Sequence, residues 1–304
     1  MICPKVYVVI LNWNGKDDTV ECLNSLKKLS YPNFRVIVVD NASTDGSQEL
    51  IKRTRPDVEL IENSANLGCG GGNNVGIREA LKKGADYVFL LNNDTIVDSN
   101  LLSILVEVGE SSPQIGIIGP KIYPYSEPDK IWAAGAETVR FSYYIGKLRG
   151  FNQRDKGQYD FDGEVDFLLT CGVMIKREVF ELIGLLDADY FYTTEDFDFC
   201  LRARKTGFKV FYVSRAMMWH KVAASVGGMG YTPTRKYYSE RGKVIFMKKH
   251  AKWWQWPKFL LFAFGSIPYV FVRESLRGNQ KAAIAKAKGI YDGFRIRKVV
   301  RKIM

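Results

Sequence analysis

Four times in the first 120 residues a short, mostly apolar run gives way to a stretch of helical periodicity, and this alternation constrains the fold more than any other feature of the chain. The runs at 6–11, 34–39, 58–61 and 87–91 are mostly β-branched or aromatic and lack polar alternation. That is the pattern of strands buried on both faces. The stretches at 17–28, 45–53, 74–83 and 101–108 repeat apolar residues at helical spacing. Repeated βα units of this size predict an α/β fold, a Rossmann-like and mostly parallel sheet with right-handed crossovers.

Open sheets of this kind bind ligands beyond the carboxyl ends of their strands. Polar residues collect there: Asn12 and Asn14 after the first strand, Asp40, Asn41 and Ser43 after the second, Asn92, Asn93 and Asp94 after the fourth. Asx turns and helix caps account for single sites, with Ser43 or Thr44 the expected cap of the helix at 45. Three strands that all end this way point to a ligand edge. Asn66-Leu67-Gly68-Cys69-Gly70-Gly71-Gly72-Asn73-Asn74 reads as a glycine-rich loop running into a helix whose N-terminus favours anions. A flexible loop is the plainer reading. No Gly-Lys-Ser/Thr follows, and its place after the third strand does not suit a dinucleotide fingerprint.

Beyond a turn-rich region at 120–165, apolar runs at 167–170 and 173–176 and a helix from 178 lead to Thr193-Thr194-Glu195-Asp196-Phe197-Asp198. This cluster opens a helix, and acids in a first turn complement the helix dipole, with Thr193 and Asp196 in a capping pattern. Asp198 and Arg202 form an i,i+4 pair. Phe197, Phe199 and Leu201 between the charges predict partial burial, which would raise a carboxylate toward the pKa a general base needs. Asp94 is a candidate oxygen ligand for Mg²⁺ or Mn²⁺. His220, one of two histidines, follows the expected strands at 209–213 and 217–219 and offers an imidazole better suited to Mn²⁺.

Charge divides the chain. Residues 1–234 carry 26 Lys and Arg against 30 Asp and Glu, near −4, whereas residues 235–304 carry 18 against 3, near +15. The tail also holds Trp253-Trp254-Gln255-Trp256 beside several lysines, the composition of an interfacial helix. Packing on the core or on a second copy, as in a homodimer, is the competing reading, and nothing else in the chain supports nucleic-acid binding. The apolar stretch at 259–272 falls short of a membrane span and contains Pro268. The five cysteines lack paired or metal-ligand spacing and read as reduced thiols, and no secretory signal is expected at the N-terminus.

Taken in order, Val9-Ile10-Leu11-Asn12-Trp13-Asn14-Gly15, Val39-Asp40-Asn41-Ala42-Ser43-Thr44-Asp45-Gly46-Ser47, Asn66-Leu67-Gly68 through Asn74, Leu91-Asn92-Asn93-Asp94-Thr95, Cys171-Gly172, Thr194-Glu195-Asp196-Phe197-Asp198 and Trp219-His220 resemble the motifs of a family 2 glycosyltransferase of the GT-A fold, in its rhamnosyltransferase-like branch. The resemblance spans residues 5 to about 225. It implies a catalytic domain at 1–234, with a nucleotide-sugar half at about 1–120 and an acceptor half at about 121–234, followed by a basic, amphipathic helical tail at 235–304. It implies that Asn12, Asn14, Asp40, Asn41, Ser43, Asn66, Gly70, Asn73, Asn92 and Asn93 surround the donor, that Asp94 and His220 hold a divalent metal, Mg²⁺ or Mn²⁺, and that Asp196 is the general base with Glu195 positioning the acceptor. The implied reaction is inverting transfer from a dTDP-rhamnose or UDP-sugar donor to a saccharide or lipid-linked saccharide, by an enzyme lying peripherally on the cytoplasmic face of the membrane. Asparagine at 92 and 93 leaves one carboxylate where the family's metal motif often has two. The alternatives are a sugar-nucleotide pyrophosphorylase and an inactive membrane-bound scaffold.

Overall fold

The computed structural model describes residues 3–138, 146–221 and 232–296. Its first half alternates strand and helix: β1 (Val6–Asn12), α1 (Lys16–Leu26), β2 (Phe34–Asp40), α2 (Ser47–Thr54), β3 (Glu59–Glu62), α3 (Gly68–Lys82), β4 (Tyr87–Asn92), β5 (Thr95–Val97), α4 (Leu101–Glu110) and β6 (Ile115–Pro124). β1 lies in parallel register between β2 and β4, and β3 extends the sheet beyond β2. The continuous apolar runs of β1 and β4 follow from burial on both faces, whereas β3 at the sheet's edge is only partly buried. Val6, Val8 and Ile10 belong to the same cluster as Leu23 and Leu26 of α1 and Leu102 and Leu105 of α4. Tyr7 and Val9 point the other way, into a cluster with Ile77 and Ala80 of α3.

The second half adds short strands β7 (Lys130–Ile131), β8 (Ala136–Thr138), β9 (Gly146–Leu148), β10 (Gln153–Arg154) and β11 (Gly163–Glu164), then β12 (Gly172–Lys176), α5 (Arg177–Ile183), α6 (Glu195–Lys205) and β13 (Lys209–His220). The main sheet runs β11-β13-β6-β12-β4-β1-β2-β3, with β5 paired to β13. β12 enters antiparallel between β4 and β6, while β13 runs parallel to β6. The two strands expected near 209–213 and 217–219 are one strand, irregular between Val213 and Met217, where the register shifts. The run at 167–170 is not a strand.

The glycine-rich stretch is not a loop. Gly68 through Gly76 lie inside α3, which starts six residues earlier than its periodicity suggests. The glycines are there for close approach. A Cβ on Gly72 would stand 2.4 Å from Leu11, and one on Gly76 would stand 2.4 Å from Val9, so no side chain fits between α3 and the sheet. On another side, a Cβ on Gly70 would stand 3.1 Å from the Asp187 carbonyl oxygen.

The tail forms α7 (Pro233–His250), α8 (Trp256–Leu276) and α9 (Gln280–Arg295), with α7 and α9 tightly packed. Between them the carboxylate of Glu240 is buried against Lys236 at 2.6 Å, Lys243 at 3.1 Å and Lys286 at 3.6 Å. α7 also packs on the acidic turn, so closely that a Cβ on Gly242 would stand 2.7 Å from Thr194 Oγ1. α8 continues through Pro268 for 21 residues. With the preceding turn it makes a 24-residue stretch, Trp253–Leu276, in which an 18-residue window has mean hydropathy 1.4, long and apolar enough by length and composition alone to cross a membrane, so the apolar element is longer than 259–272.

Candidate active site

The carboxyl ends of β1 and β2 are tied together through Asp40, which is fully buried. Its Oδ2 accepts from Asn12 Nδ2 at 2.7 Å and Ser43 Oγ at 2.6 Å, and its Oδ1 from the Ser43 amide at 2.9 Å and Gln48 Nε2 at 2.7 Å. Asp40 is therefore the hub of the loop, and direct contact with a nucleoside would require one of these donors to be exchanged. Asn14 and Ala42 hold positive φ, 52° and 59°, which lets the two loops turn sharply toward each other. The Asn14 amide donates to Ser43 Oγ, and Asn14 Oδ1 accepts from the Thr44 amide. The expected cap is displaced: Gly46 caps α2, while Asp45 accepts from the Ser47 amide at 3.1 Å.

Asn41 reaches outward from this hub. Its Nδ2 donates to Asn66 Oδ1 and the Gly68 carbonyl, linking β2 to the start of α3. Asn66 Oδ1 also receives the Gly68 amide. Asn73 instead turns back on its own helix, to the Cys69 carbonyl. Its neighbour Asn74 exchanges two bonds with the Leu186 backbone and fixes α3 against the segment leading to the acidic turn.

At the end of β4 the three polar residues separate. Asn93 turns toward β1, donating to Asn12 Oδ1 and Thr19 Oγ1, both at 3.0 Å. Asn92 and Asp94 face His220: Asn92 Nδ2 is 3.5 Å and Asp94 Oδ1 is 2.9 Å from His220 Nε2. Trp132 stands edge-on to the imidazole, with ring centroids 4.9 Å apart. His220 Nδ1 is buried without a hydrogen-bond partner among the described residues, so nothing on that side of the ring fixes its tautomer. No group of three or more His, Cys, Asp or Glu side chains gathers as a metal cage among the described residues. The pair nevertheless fits a divalent ion that takes most of its oxygens from a diphosphate. Neighbouring ligands on an octahedral Mg²⁺ stand about 3 Å apart, the spacing of His220 and Asp94.

The acidic turn behaves differently at each carboxylate. Phe191 and Thr194 adopt positive φ, 67° and 84°, uncommon for non-glycine residues, and Thr194 rather than Thr193 caps α6, without a side-chain bond. Asp198 is completely buried and paired, through Arg202 at 2.7 Å, Lys249 at 3.0 Å and His250 at 2.8 Å. Burial alone would raise its carboxyl, but the His250 bond and the Arg202 and Lys249 charges hold it well below the usual range. Asp198 locks α6 to α7. Glu195 is the reverse. Thr170 Oγ1 approaches its Oε1 at 3.4 Å, and its Oε2 is buried with no partner among the described residues. Burial pushes its carboxyl up to about 7. Asp196 alone of the three keeps partial access to solvent. Burial of the carboxyl and, after it, the Glu195 charge hold it well above the usual range.

The two centres meet at β12. The buried thiol of Cys171, immediately before this strand, lies within electrostatic reach of both Asp94 and Asp196, and both charges add to the effect of burial in pushing it up. Thus the structure brings Asp94, His220, Glu195 and Asp196 to one end of the sheet, with the Asp40 loop beside them through Asn12 and Asn93. Gln48, Thr170, Lys249 and His250 were not foreseen. Only Thr170, adjacent to Cys171-Gly172, carried a local signal.

This edge can be compared with known proteins. The family model of glycosyl transferase family 2 matches residues 7–184, more than half of the chain. The chain belongs to glycosyl transferase family 2. The match includes Asp40 and Asp94 and ends before the acidic turn and His220. Among curated proteins, the chain is 24% identical to the dTDP-rhamnosyl transferase RfbF of Shigella flexneri, over 81% of this chain and 80% of that protein. It is also 24% identical to the N-acetylglucosaminyl-diphospho-decaprenol L-rhamnosyltransferase of Mycobacterium tuberculosis, over 93% and 97%. The fold is that of a Pyrobaculum calidifontis mannosyltransferase solved with GDP-mannose and Mn²⁺, with TM-score 0.60 and 15% identity over 98% of this chain and 89% of that one. This glycosyltransferase therefore has the GT-A architecture, and both of these curated relatives are named as rhamnosyltransferases.

Proposed function

We propose that this family 2 glycosyltransferase transfers a sugar, with inversion, from a nucleoside diphosphate donor to a saccharide or lipid-linked saccharide of the cell envelope. The observation that carries the reading is the placement of Asp196, a partly exposed residue of the acidic turn, and of Asp94 within electrostatic reach of the same Cys171 thiol. The Asp40 loop, Asn12, Asn41 and Asn93 line the donor side, and Asp94 with His220 would hold a divalent ion. When bound there, Mg²⁺ or Mn²⁺ would offset the negative charge on the diphosphate leaving group. Asp196 accepts the proton of the acceptor hydroxyl while the hydroxyl oxygen bonds to the anomeric carbon and the bond from that carbon to the diphosphate breaks. The nucleoside diphosphate leaves from the opposite face. Glu195, beside the base, keeps Asp196 basic and orients the acceptor. The names of the two rhamnosyltransferase relatives favour a dTDP-rhamnose donor over a UDP-sugar, and family membership favours transfer over pyrophosphorylase chemistry.

The catalytic domain is taken as 1–234 and the tail as a peripheral membrane contact at the cytoplasmic face, supported by its charge and the apolar α8. The test is a thermal-shift panel of UDP-, dTDP- and GDP-sugars with and without Mn²⁺, since a donor that binds the native state raises its melting point. A shift for one nucleotide, dependent on Mn²⁺ and lost in Asp94→Ala, supports the reading. Purified protein that neither shifts with any donor nor hydrolyses one is instead a scaffold.

A further inference from the structure

A cleft of about 440 Å³ opens between Trp132, the β8–β9 hairpin and the first turn of α7. Its volume is in the range of small-ligand sites. Its chemistry is uneven. Lys147, Arg149 and Arg235 line it, and Glu137 is the acid among its lining residues. Glu137 lies opposite Lys147 in the hairpin and 4.0 Å from Arg149 Nε, and its side chain is 67% exposed. The charge of the cleft is thus positive. Arg149 is held in place by aromatic rings, its guanidinium 5.4 Å from the Tyr159 centroid and 5.2 Å from that of Phe161. Arg235 Nη1 is buried and has no hydrogen-bond partner among the described residues. A buried guanidinium nitrogen left this way costs stability unless a ligand supplies the acceptor.

The cleft also adjoins the reaction centre on two sides. Trp132, on its wall, stands against His220. The hairpin packs on the acidic turn so closely that a Cβ on Gly146 would stand 2.4 Å from the Phe197 ring, between Asp196 and Asp198. Trp132 and Phe151 offer faces on which a sugar ring can stack, and the three cations suit an anion carried by that sugar.

We propose that this cleft is the acceptor subsite and that the acceptor is a saccharide bearing a phosphate or diphosphate, its anion on Arg235, Arg149 and Lys147 and its sugar on Trp132. The proposal rests on the glycosyltransferase reading and adds the acceptor's charge and place. Three probes test it on the intact protein by tryptophan fluorescence and calorimetry: N-acetylglucosamine diphosphate, the same compound with a short alkyl chain on the diphosphate, and the neutral alkyl glycoside. Both diphosphates are expected to bind, and the neutral glycoside at least tenfold more weakly. A gain from the alkyl chain assigns the anion to a lipid carrier, and equal binding assigns it to a free sugar phosphate. Arg235→Ala, and the exposed Lys147→Ala, which carries little risk to folding, are each expected to weaken diphosphate binding fivefold or more. Equal binding of the neutral glycoside, or an unchanged diphosphate affinity in both variants, overturns the proposal. So does loss of nucleotide-sugar binding in Arg235→Ala with diphosphate-sugar binding intact, because Arg235 then serves the donor. Failure of wild type to bind any nucleotide sugar would overturn the glycosyltransferase reading instead, so the two failures are distinguishable.

Discussion

His220 Nε2 lies 2.9 Å from Asp94 Oδ1 although 126 residues separate them in the chain. Backbone pairing builds this proximity. His220 stands opposite Thr95 where β13 pairs with β5, and the Lys221 amide donates to the Asp94 carbonyl at 2.9 Å. The pair is therefore held by strand register rather than by the side chains themselves.

If these two side chains hold the metal, their loss should act on metal dependence rather than on folding. Asp94→Ala should abolish the Mn²⁺-dependent part of the donor's thermal shift. Partners in the outer shell of a metal already matter about 10–100-fold in affinity, so His220→Ala should raise the Mn²⁺ needed for half-maximal turnover by at least that lower factor. Calorimetric titration of Mn²⁺ in the presence of nucleoside diphosphate gives the same answer without turnover. Wild-type metal affinity in both variants would remove the pair from the metal site.

Asp196 gives a different signature. General-base catalysis typically contributes about 10²–10⁴-fold, so Asp196→Asn should lose turnover in that range. The donor's thermal shift should persist, because the base acts mainly in the transition state. Donor binding lost in parallel with turnover would make Asp196 a donor-site residue.

Glu195 connects the site to stability. Its carboxyl titrates near 7 in the fold against an ordinary 4.5. A raised folded-state pKa means that the stability of the protonated form is fully present below about pH 4.5 and is lost as pH climbs through 7. Glu195→Gln should therefore be more stable than wild type at pH 8, by at most about 3 kcal/mol, and nearly equal to it at pH 4.5. Urea denaturation at the two pH values measures this. Because the Glu195 charge also raises Asp196, the same variant should move the acidic limb of kcat/KM to lower pH. Parallel stability curves for the two proteins would mean that Glu195 is ionised throughout.

The parts of this structure that were legible in the chain are those where one local pattern has one physical cause. Runs such as Tyr87 through Leu91 are apolar at every position because both faces of the sheet are covered, and that reads directly as strand. The glycines of α3 could not be read so easily. Gly72 and Gly76 are required by the proximity of Leu11 and Val9, which lie far away in sequence, and a glycine needed for packing looks the same as one needed for a turn. His250 escaped notice because its partner, Asp198, is 52 residues distant and no periodicity connects them. The acidic turn was visible as a cluster. The division of labour within it, with Asp198 neutralised by Lys249, Arg202 and His250 and Glu195 left without such partners, depends on α7 folding back over it.

The same folding back leaves one face of α8 uncovered. Phe259 and Ala263 are buried, but Leu261, Phe264, Tyr269 and Leu276 are exposed, with Leu261 at 70% and Leu276 at 85%. An apolar face of this extent on a helix, flanked by Trp253 and Trp254 and by a tail near +15, suits the boundary of an anionic bilayer. Each Lys or Arg close to such a surface contributes about 1 kcal/mol. The protein should co-sediment with vesicles containing a third phosphatidylglycerol, far less with neutral vesicles, and progressively less as salt rises. Leu261→Glu with Phe264→Glu should reduce vesicle binding at least tenfold while leaving the donor's thermal shift intact, because both side chains are exposed on a helix that packs on α9 and the turn before it. If the double variant instead binds vesicles normally but loses a dimer seen by light scattering, the α8 face is a contact between copies of the chain and the acceptor must reach the site without a membrane anchor on this helix.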